Sequence, residues 1–159
     1  MPRVVKQIAV VVKDVQASME HYWKILGIGP WDVRHFTNNS VRDFKVDGNP
    51  VTEDFEFICA VCWHGDLEYE LIQPIKGPNI YWKFLEKGQG LHHYKEIVSD
   101  ERMPEILADF AAKGIKVLQT GWIDNDLHYY LDTEHLLGFV YEIGNGGKIG
   151  APDRRYPAD

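Results

Sequence analysis

Apolar and polar positions fall into one pattern that the chain runs through twice. The first pass opens on Val4 to Val12, an apolar, β-branched run that reads as a strand. Asp14 then stands as a helix N-cap, and Val15, Met19, Tyr22, Trp23 and Leu26 recur at helical spacing until Gly27 stops them. Strand patterns occupy Trp31 to Thr37 and Val41 to Val46, with Asp47-Gly48 as a turn signal. Phe55 to Trp63 and Leu67 to Gln73 read as a hairpin across His64-Gly65-Asp66. A loop over Pro74 to Pro78 and a short helix over Ile80 to Lys87 lead into the second pass. After Gly88-Gln89-Gly90, a strand is expected over His93 to Val98. Asp100 is expected to start a helix with Met103, Ile106, Leu107 and Phe110 on one stripe, closed by Gly114. Ile115 to Gln119, Leu127 to Leu131 and Phe139 to Ile143 read as strands, the last two joined across Asp132 to Gly138.

Strand, helix, then further strands, twice, is an internal repeat. Gln7 precedes Gly27 by 20 residues, and His93 precedes Gly114 by 21. Late in each pass stands a related tetrapeptide, Tyr69-Glu70-Leu71-Ile72 and Tyr141-Glu142-Ile143-Gly144. The expected architecture is α+β: two βαβββ modules side by side, their strands forming one curved mixed sheet around a shared cleft. A single domain over 1–145 is expected, with module 1 at about 4–74 and module 2 at about 91–145. The remaining 146–159, rich in glycine, proline and charge, reads as a C-terminal surface tail.

Composition narrows the function classes. No apolar run approaches the roughly 20 residues of a membrane span. A net charge of −7 argues against a nucleic-acid partner, which calls for a basic face. The amino terminus enters a strand pattern without a signal-peptide pattern. Cys59 and Cys62 form a C-x-x-C, but on one strand they face opposite sides, and no second pair completes a zinc site. They read as buried structural thiols of a reduced, cytoplasmic protein.

The candidate chemistry lies on the repeat-related strands. Gln7 and His93 hold corresponding places in the two first strands, and Glu70 and Glu142 in the two last. Gln7 shares a strand face with Ala9 and Val11, while Glu70 and Glu142 lie opposite their apolar neighbours. Alternation therefore lets all four face the cleft. By the same alternation His92 faces away from His93, as a structural residue, and Glu96 falls on the helix side without an evident reason. Two carboxylates, an imidazole and an amide oxygen would neutralise a divalent cation of the zinc, cobalt, nickel, manganese or magnesium kind and leave coordination positions open. Each residue alone also has an ordinary reading: a core histidine, solvent-facing glutamates, an edge glutamine.

From Val4 to Asn145 the chain resembles the glyoxalase, or vicinal-oxygen-chelate, superfamily. The resemblance rests on Ile8 to Gly27, Glu70-Leu71-Ile72-Gln73-Pro74, Gly88 to Tyr94, and Asp132 to Glu142. It implies the glyoxalase/bleomycin-resistance fold with its metal-binding cleft, and ligands at Gln7, Glu70, His93 and Glu142. Glu-Leu-Ile-Gln-Pro and Gly-Leu-His-His are similar to methylmalonyl-CoA epimerases, which usually carry histidine where Gln7 stands. The set glutamine, glutamate, histidine, glutamate is similar instead to some lactoylglutathione lyases (glyoxalase I). There an asparagine-containing stretch follows the first glutamate strand, where this chain has Gln73-Pro74-Ile75-Lys76. Gln7 in place of a histidine departs from the extradiol dioxygenase branch.

The two leading branches imply a metal-dependent isomerase or lyase that removes a proton next to a carbonyl, with an acyl thioester or thiohemiacetal as substrate. The epimerase branch matches better in flanking motifs. The glyoxalase I branch implies Glu142 as the catalytic base; the epimerase branch implies a middle-strand glutamate, for which Glu53 and Glu56 lie in the right region. Lys76, Lys83 and Lys87 are the cations at hand for coenzyme A phosphates; the substrate-binding residues are otherwise open. The resemblance also implies a homodimer, with Trp31, Trp63, Trp82 and Trp122 as core or dimer contacts. The expectation from another class is a non-catalytic, bleomycin-resistance-like binding protein, whose aromatic residues would stack on a planar ligand.

Overall fold

A computed structural model describes residues 3–158. Residues 1, 2 and 159, at the outer ends of the expected domain and tail, lie outside it. The first pass gives β1 (Val5–Val11), α1 (Val15–Leu26), β2 (Trp31–Thr37), β3 (Val41–Val46), β4 (Asn49–Pro50), β5 (Glu56–His64) and β6 (Leu67–Lys76). After α2 (Tyr81–Leu85), the second gives β7 (Gly90–Ile97), α3 (Met103–Ala112), β8 (Val117–Ile123), β9 (Asp126–Leu131), α4 (Glu134–Leu137) and β10 (Val140–Gly144), and β11 (Arg154–Tyr156) follows. Asp14 caps α1 as expected, its Oδ1 accepting from the Ala17 amide at 3.0 Å, and Gly27 ends it at φ 67°. Asp100 does not begin α3; it accepts from Asn145 Nδ2 at 3.0 Å, and the helix starts at Met103 with Pro104 in its first turn.

All strands of the described residues join one sheet in the order β11-β2-β5-β6-β1-β7-β10-β9-β8-β3-β4. Its centre carries the repeat. β1 runs parallel to β6, β7 runs parallel to β10, and β1 and β7 meet antiparallel. The curved α+β sheet matches the expectation. Two segments outside the core of the repeat do not sit where the sequence suggests. β3, reached from module 1, pairs with β8 of module 2, and β11 pairs with β2 of module 1. The tail is therefore part of the sheet and not a bare surface appendage. Both additions cover strands that would otherwise expose an unpaired edge.

Alternation divides the packing into two sides. Val15 and Met19 of α1 pack with Val12, Trp31, Val33 and Leu71, and Met103 and Ile106 of α3 pack with Leu131 and Ile143. On the concave side Ala9, Val11, Phe36, Phe44, Phe55, Phe57, Ile72 and Tyr81 form a third cluster. The cysteines follow alternation, with Cys59 in the concave cluster and Cys62 in the α1 cluster, both buried free thiols. Glu96, unexplained in the sequence, lies on the helix side, where Arg3 Nη1 is 2.6 Å from its Oε2 and the Tyr141 hydroxyl donates to the same oxygen at 2.8 Å. Arg3 also lies over the Phe110 ring, 5.0 Å from its centroid.

Phe44 is the anchor of the crossing strand, buried 4.4 Å from the Phe55 ring centroid and 6.2 Å from that of Phe57. Phe44→Ala is expected to cost about 3–5 kcal/mol in urea unfolding. Arg42→Ala, on the same strand but exposed over Trp122, is expected to cost under about 1 kcal/mol. Equal losses at the two positions would mean that β3 is held by its strand pairing and not by this side chain.

Candidate metal centre

Four adjacent strands, β6, β1, β7 and β10, each supply one of the expected residues. Ala9 of β1 is the register partner of both Glu70 and His93, so those two flank one point on the concave face. Glu142 is paired with Lys95, two residues along β7 from His93. The structure brings all four side chains together at one atom. His93 Nε2 lies 2.9 Å from Glu142 Oε2, 3.2 Å from Gln7 Oε1 and 3.3 Å from Glu70 Oε2. Gln7, His93 and Glu142 are buried, at 5%, 0% and 2% relative exposure.

An imidazole nitrogen carries at most one hydrogen, so three oxygens cannot all be satisfied by it. Among the described residues Glu142 Oε2 has no well-aligned hydrogen-bond donor; its one close polar neighbour is His93 Nε2, 2.9 Å away. A buried carboxylate oxygen in that state costs free energy unless a positive group meets it. Neighbouring ligands of a small divalent ion, each about 2.1 Å from it, stand roughly 3 Å apart, which is the spacing found between Nε2 and the three oxygens. The donor set of one nitrogen and three oxygens, two of them anionic, thus fits a divalent cation. Among the described residues, however, no three His, Cys, Asp or Glu side chains stand as an open metal site; the acids lie against the imidazole nitrogen itself.

Several charged neighbours complete the site. Glu68, two residues before Glu70, accepts from Gln7 Nε2 at 2.5 Å, which turns the Gln7 amide oxygen toward His93. Lys95 Nζ lies 3.3 Å from Glu142 Oε1 and 3.7 Å from Asp126 Oδ1. His128, on β9, stands 4.0 Å from Asp126. Lys95 and Glu68 were legible through alternation, each being two residues from a chosen ligand on the same strand. Asp126 and His128 had no repeat partner to point to them.

His92 corrects the sequence reading. Ala9 pairs with His93 but Val10 pairs with Leu91, so His92 is the extra residue of a β-bulge. The bulge cancels one step of alternation and puts both histidines on the concave side. His92 Nδ1 lies 2.8 Å from His93 Nδ1. The rings of Tyr81, Phe84 and Tyr130 surround His92 at centroid distances of 5.6, 5.0 and 5.9 Å.

Burial and charge act against each other here. Burial opposes charge on His93, yet Glu142 and then Glu70 outweigh it and raise its pKa to about 9. Burial likewise opposes ionisation of Glu142, but Lys95 and then His93 bring it down to about 2. Lys95 is held protonated against its burial by Glu142 and then Asp126. Burial, with the charge of Glu70, lifts Glu68 to about 7, and burial lowers His128 to about 4.

A cleft of about 880 Å³ opens over these residues. Its lining includes Gln7, Glu68, Glu70, Lys95, Asp126, His128, Tyr130 and Glu142, and the tail adds Gly146, Gly147 and Ile149. Glu53 and Glu56 are not among the lining residues. Glu53 is exposed, and Glu56 pairs with His35 Nδ1 at 3.0 Å. Lys76, Lys83 and Lys87 do not line it either; Lys87 pairs with Glu134, and the lining cations are Lys6, Arg34, Lys95 and Arg155. Of the tryptophans, Trp31 is buried under α1 and Trp63 lines the cleft, 58% exposed.

Compared with known proteins, residues 6–130 match the family model described as the glyoxalase/bleomycin resistance protein/dioxygenase superfamily. Glu142 lies beyond the matched residues. Among curated proteins no sequence match is found. Among solved structures, methylmalonyl-CoA epimerase from Mycobacterium tuberculosis is similar at TM-score 0.61 and 16% identity, covering 88% of this chain and 85% of that one. A hypothetical protein from Bacillus halodurans C-125 gives TM-score 0.68 at 16% identity, covering 94% and 99%. A variant of Streptomyces coelicolor methylmalonyl-CoA epimerase, in complex with 2-nitronate-propionyl-CoA, gives 0.61 at 19% identity, covering 96% and 99%. At such identities the likeness is one of fold.

Two outcomes follow from the charges. Lys95→Met should destabilise the metal-free protein by about 3–5 kcal/mol, because it removes one partner of a buried ion pair. Glu142→Gln added to it should recover a substantial part; additive losses in urea would show that the two groups are not coupled. The second outcome concerns pH. His93 has a folded pKa near 9 against an ordinary value of 6.5, so its stabilising contribution is complete below pH 6.5 and is lost as pH rises through 9. Metal-free wild type should therefore lose on the order of 1–3 kcal/mol more than His93→Gln across that window. Parallel stability–pH curves would contradict it.

Proposed function

The chain belongs to the glyoxalase/bleomycin resistance protein/dioxygenase superfamily, and from that premise we propose that it is a metal-dependent isomerase or lyase. The reaction is proton abstraction next to a carbonyl, on the epimerase side of the superfamily. The observation that carries this reading is the convergence of Gln7, Glu70 and Glu142 on His93 Nε2, with no well-aligned donor to Glu142 Oε2 among the described residues. These four residues would hold one divalent cation. Bound there, the cation supplies Lewis acidity toward a substrate oxygen.

The chain's own groups do the rest. Tyr130, His128 and Lys95 wall the cleft beside the four, and Lys95 presents positive charge where negative charge would develop. The proton is carried by a carboxylate of the same cleft. The resemblance to glyoxalase I gives this role to Glu142. Geometry favours Glu68: it lines the cleft and has no cation within ion-pair distance among the described residues, whereas Glu142 is held between Lys95 and His93. The substrate in this reading is an acyl thioester, as supported by the flanking motifs and by structural neighbours that are epimerases, one with an acyl-CoA analogue. A thiohemiacetal, as for lactoylglutathione lyase, is the alternative within the same chemistry. A cytoplasmic homodimer belongs to this reading, with exposed Leu91, Leu136 and Leu137 as apolar contact surface.

One observation favours a second reading, a non-catalytic binding protein. Lys95 and a protonated His93 already counter the charge of Glu142 and Glu70 without a metal. Elemental analysis of untagged protein purified without chelators separates the two. The enzyme reading expects close to one equivalent of a divalent metal per chain, with turnover of methylmalonyl-CoA or of the methylglyoxal–glutathione adduct. Glu68→Gln should then keep the metal and lose at least about 100-fold in rate, while Glu142→Gln loses both. No metal bound, and none taken up on titration, would leave the binding protein.

A further inference from the structure

The bulge in β7 places two imidazoles edge to edge, and nothing in the proposed chemistry yet uses the first of them. His92 Nδ1 and His93 Nδ1 are 2.8 Å apart, inside hydrogen-bond distance for two ring nitrogens. One hydrogen must lie between them, because two lone pairs or two N–H groups would repel. We infer that His92 is the positioning residue of His93: its Nδ1 accepts the hydrogen carried by His93 Nδ1, which fixes the ring and dedicates Nε2 to Gln7, Glu70 and Glu142.

The surroundings of the two rings decide the direction of this bond. Two carboxylate oxygens face His93 Nε2, at 2.9 and 3.3 Å, and call for positive charge at that nitrogen. A proton there makes the ring an imidazolium; a divalent cation there takes the lone pair. Either occupant leaves the remaining ring hydrogen on His93 Nδ1. His92 has the opposite environment. It is 2% exposed, packed by Tyr81, Phe84 and Tyr130, and no carboxylate of the described residues forms an ion pair with it. A neutral imidazole has one acceptor nitrogen, and His92 turns that nitrogen to His93. Proton and metal ion can thus exchange at Nε2 without a change in the hydrogen bond behind it. A ligating histidine whose other nitrogen donates to a fixed partner is a recurrent arrangement; here the partner is a second histidine, delivered by the bulge.

The metal arm of the test rests on the proposed function, and the tautomer arm does not. Long-range proton–nitrogen NMR of nitrogen-15-labelled protein reads which ring nitrogens carry hydrogen. The expected spectrum shows His93 protonated at Nδ1 and His92 protonated at Nε2, with and without added zinc(II). A hydrogen on His92 Nδ1 would overturn the inference. In cobalt titrations followed by visible absorption, His92→Phe keeps the ring's packing but removes the acceptor, and should bind about 10–100-fold more weakly. His92→Asn restores an acceptor near the same place and should bind within a few-fold of wild type. Wild-type affinity in His92→Phe would overturn the positioning role. If His92→Phe fails to fold, as judged by circular dichroism, the wild-type spectrum decides alone. If wild type takes up no metal, the metal-dependent reading fails, and the metal-free spectrum still decides for or against His92.

Discussion

Negative charge gathered on a buried surface is the constraint that organises this molecule. Glu68, Glu70, Asp126 and Glu142 all line one cleft, and Lys95 is the only ammonium in ion-pair contact with any of them among the described residues. Four carboxylates against one ammonium leave an excess that burial makes expensive, several kcal/mol for each ion without a partner. A proton on His93 reduces the excess by one, and a divalent cation in its place by two. The two oxygens of Glu142 divide this work. Oε1 faces Lys95, and Oε2 faces the nitrogen of His93. The carboxylate is thereby fixed in orientation, and its ligand-side oxygen is the one left wanting a cation.

Holding such charges in register requires walls that do not drift apart, and the sheet provides this by exchange between its halves. Module 1 lends β3 to the edge strand β8 of module 2, while the segment after module 2 lends β11 to the edge strand β2 of module 1. The connecting backbone spans the same gap. Gly150 N donates to Asp124 Oδ2 of the β8–β9 turn at 2.7 Å, and Gly150 O accepts from Arg34 of β2. Gly147 is a glycine by necessity at this crossing, since a Cβ there would stand 1.8 Å from the Asn125 carbonyl oxygen. Separation of the two halves would cost these pairings on both sides of the cleft at once.

What could be read in the sequence follows from which interactions are local. Helix spacing and strand alternation depend on neighbours, so the repeat, both principal helices and the inward facing of Gln7, Glu70, His93 and Glu142 were visible. Lys95 and Glu68 were visible by the same rule but carried no repeat partner to single them out. Pairing partners are not local. Nothing in Val41 to Val46 says that its edge belongs to β8 and not to β5, and nothing in Arg154 to Tyr156 is apolar enough to announce a strand. Glu96 had no evident role because its cation, Arg3, lies 93 residues away. His92 was misplaced for a different reason. A bulge is one residue of extra backbone, and alternation counted through it gives the wrong face for every position on its far side until the count is reset.

That bulge also shows why fold likeness alone leaves the chemistry open. The structural neighbours share the architecture at 16–19% identity, which fixes where strands run and not what faces the cleft. The chemistry of this site rests on single residues: an amide at Gln7, an ammonium at Lys95, a second imidazole at His92. Each acts on the ligand set from behind or beside it. Gln7 spends its amide hydrogen on Glu68 and turns its oxygen inward, Lys95 takes one side of Glu142, and His92 takes the rear of His93. With three of the four ligands anchored on the side away from their meeting point, their inward-facing atoms are preorganised. The free energy of ordering them is then met on folding, not on binding a cation or a substrate.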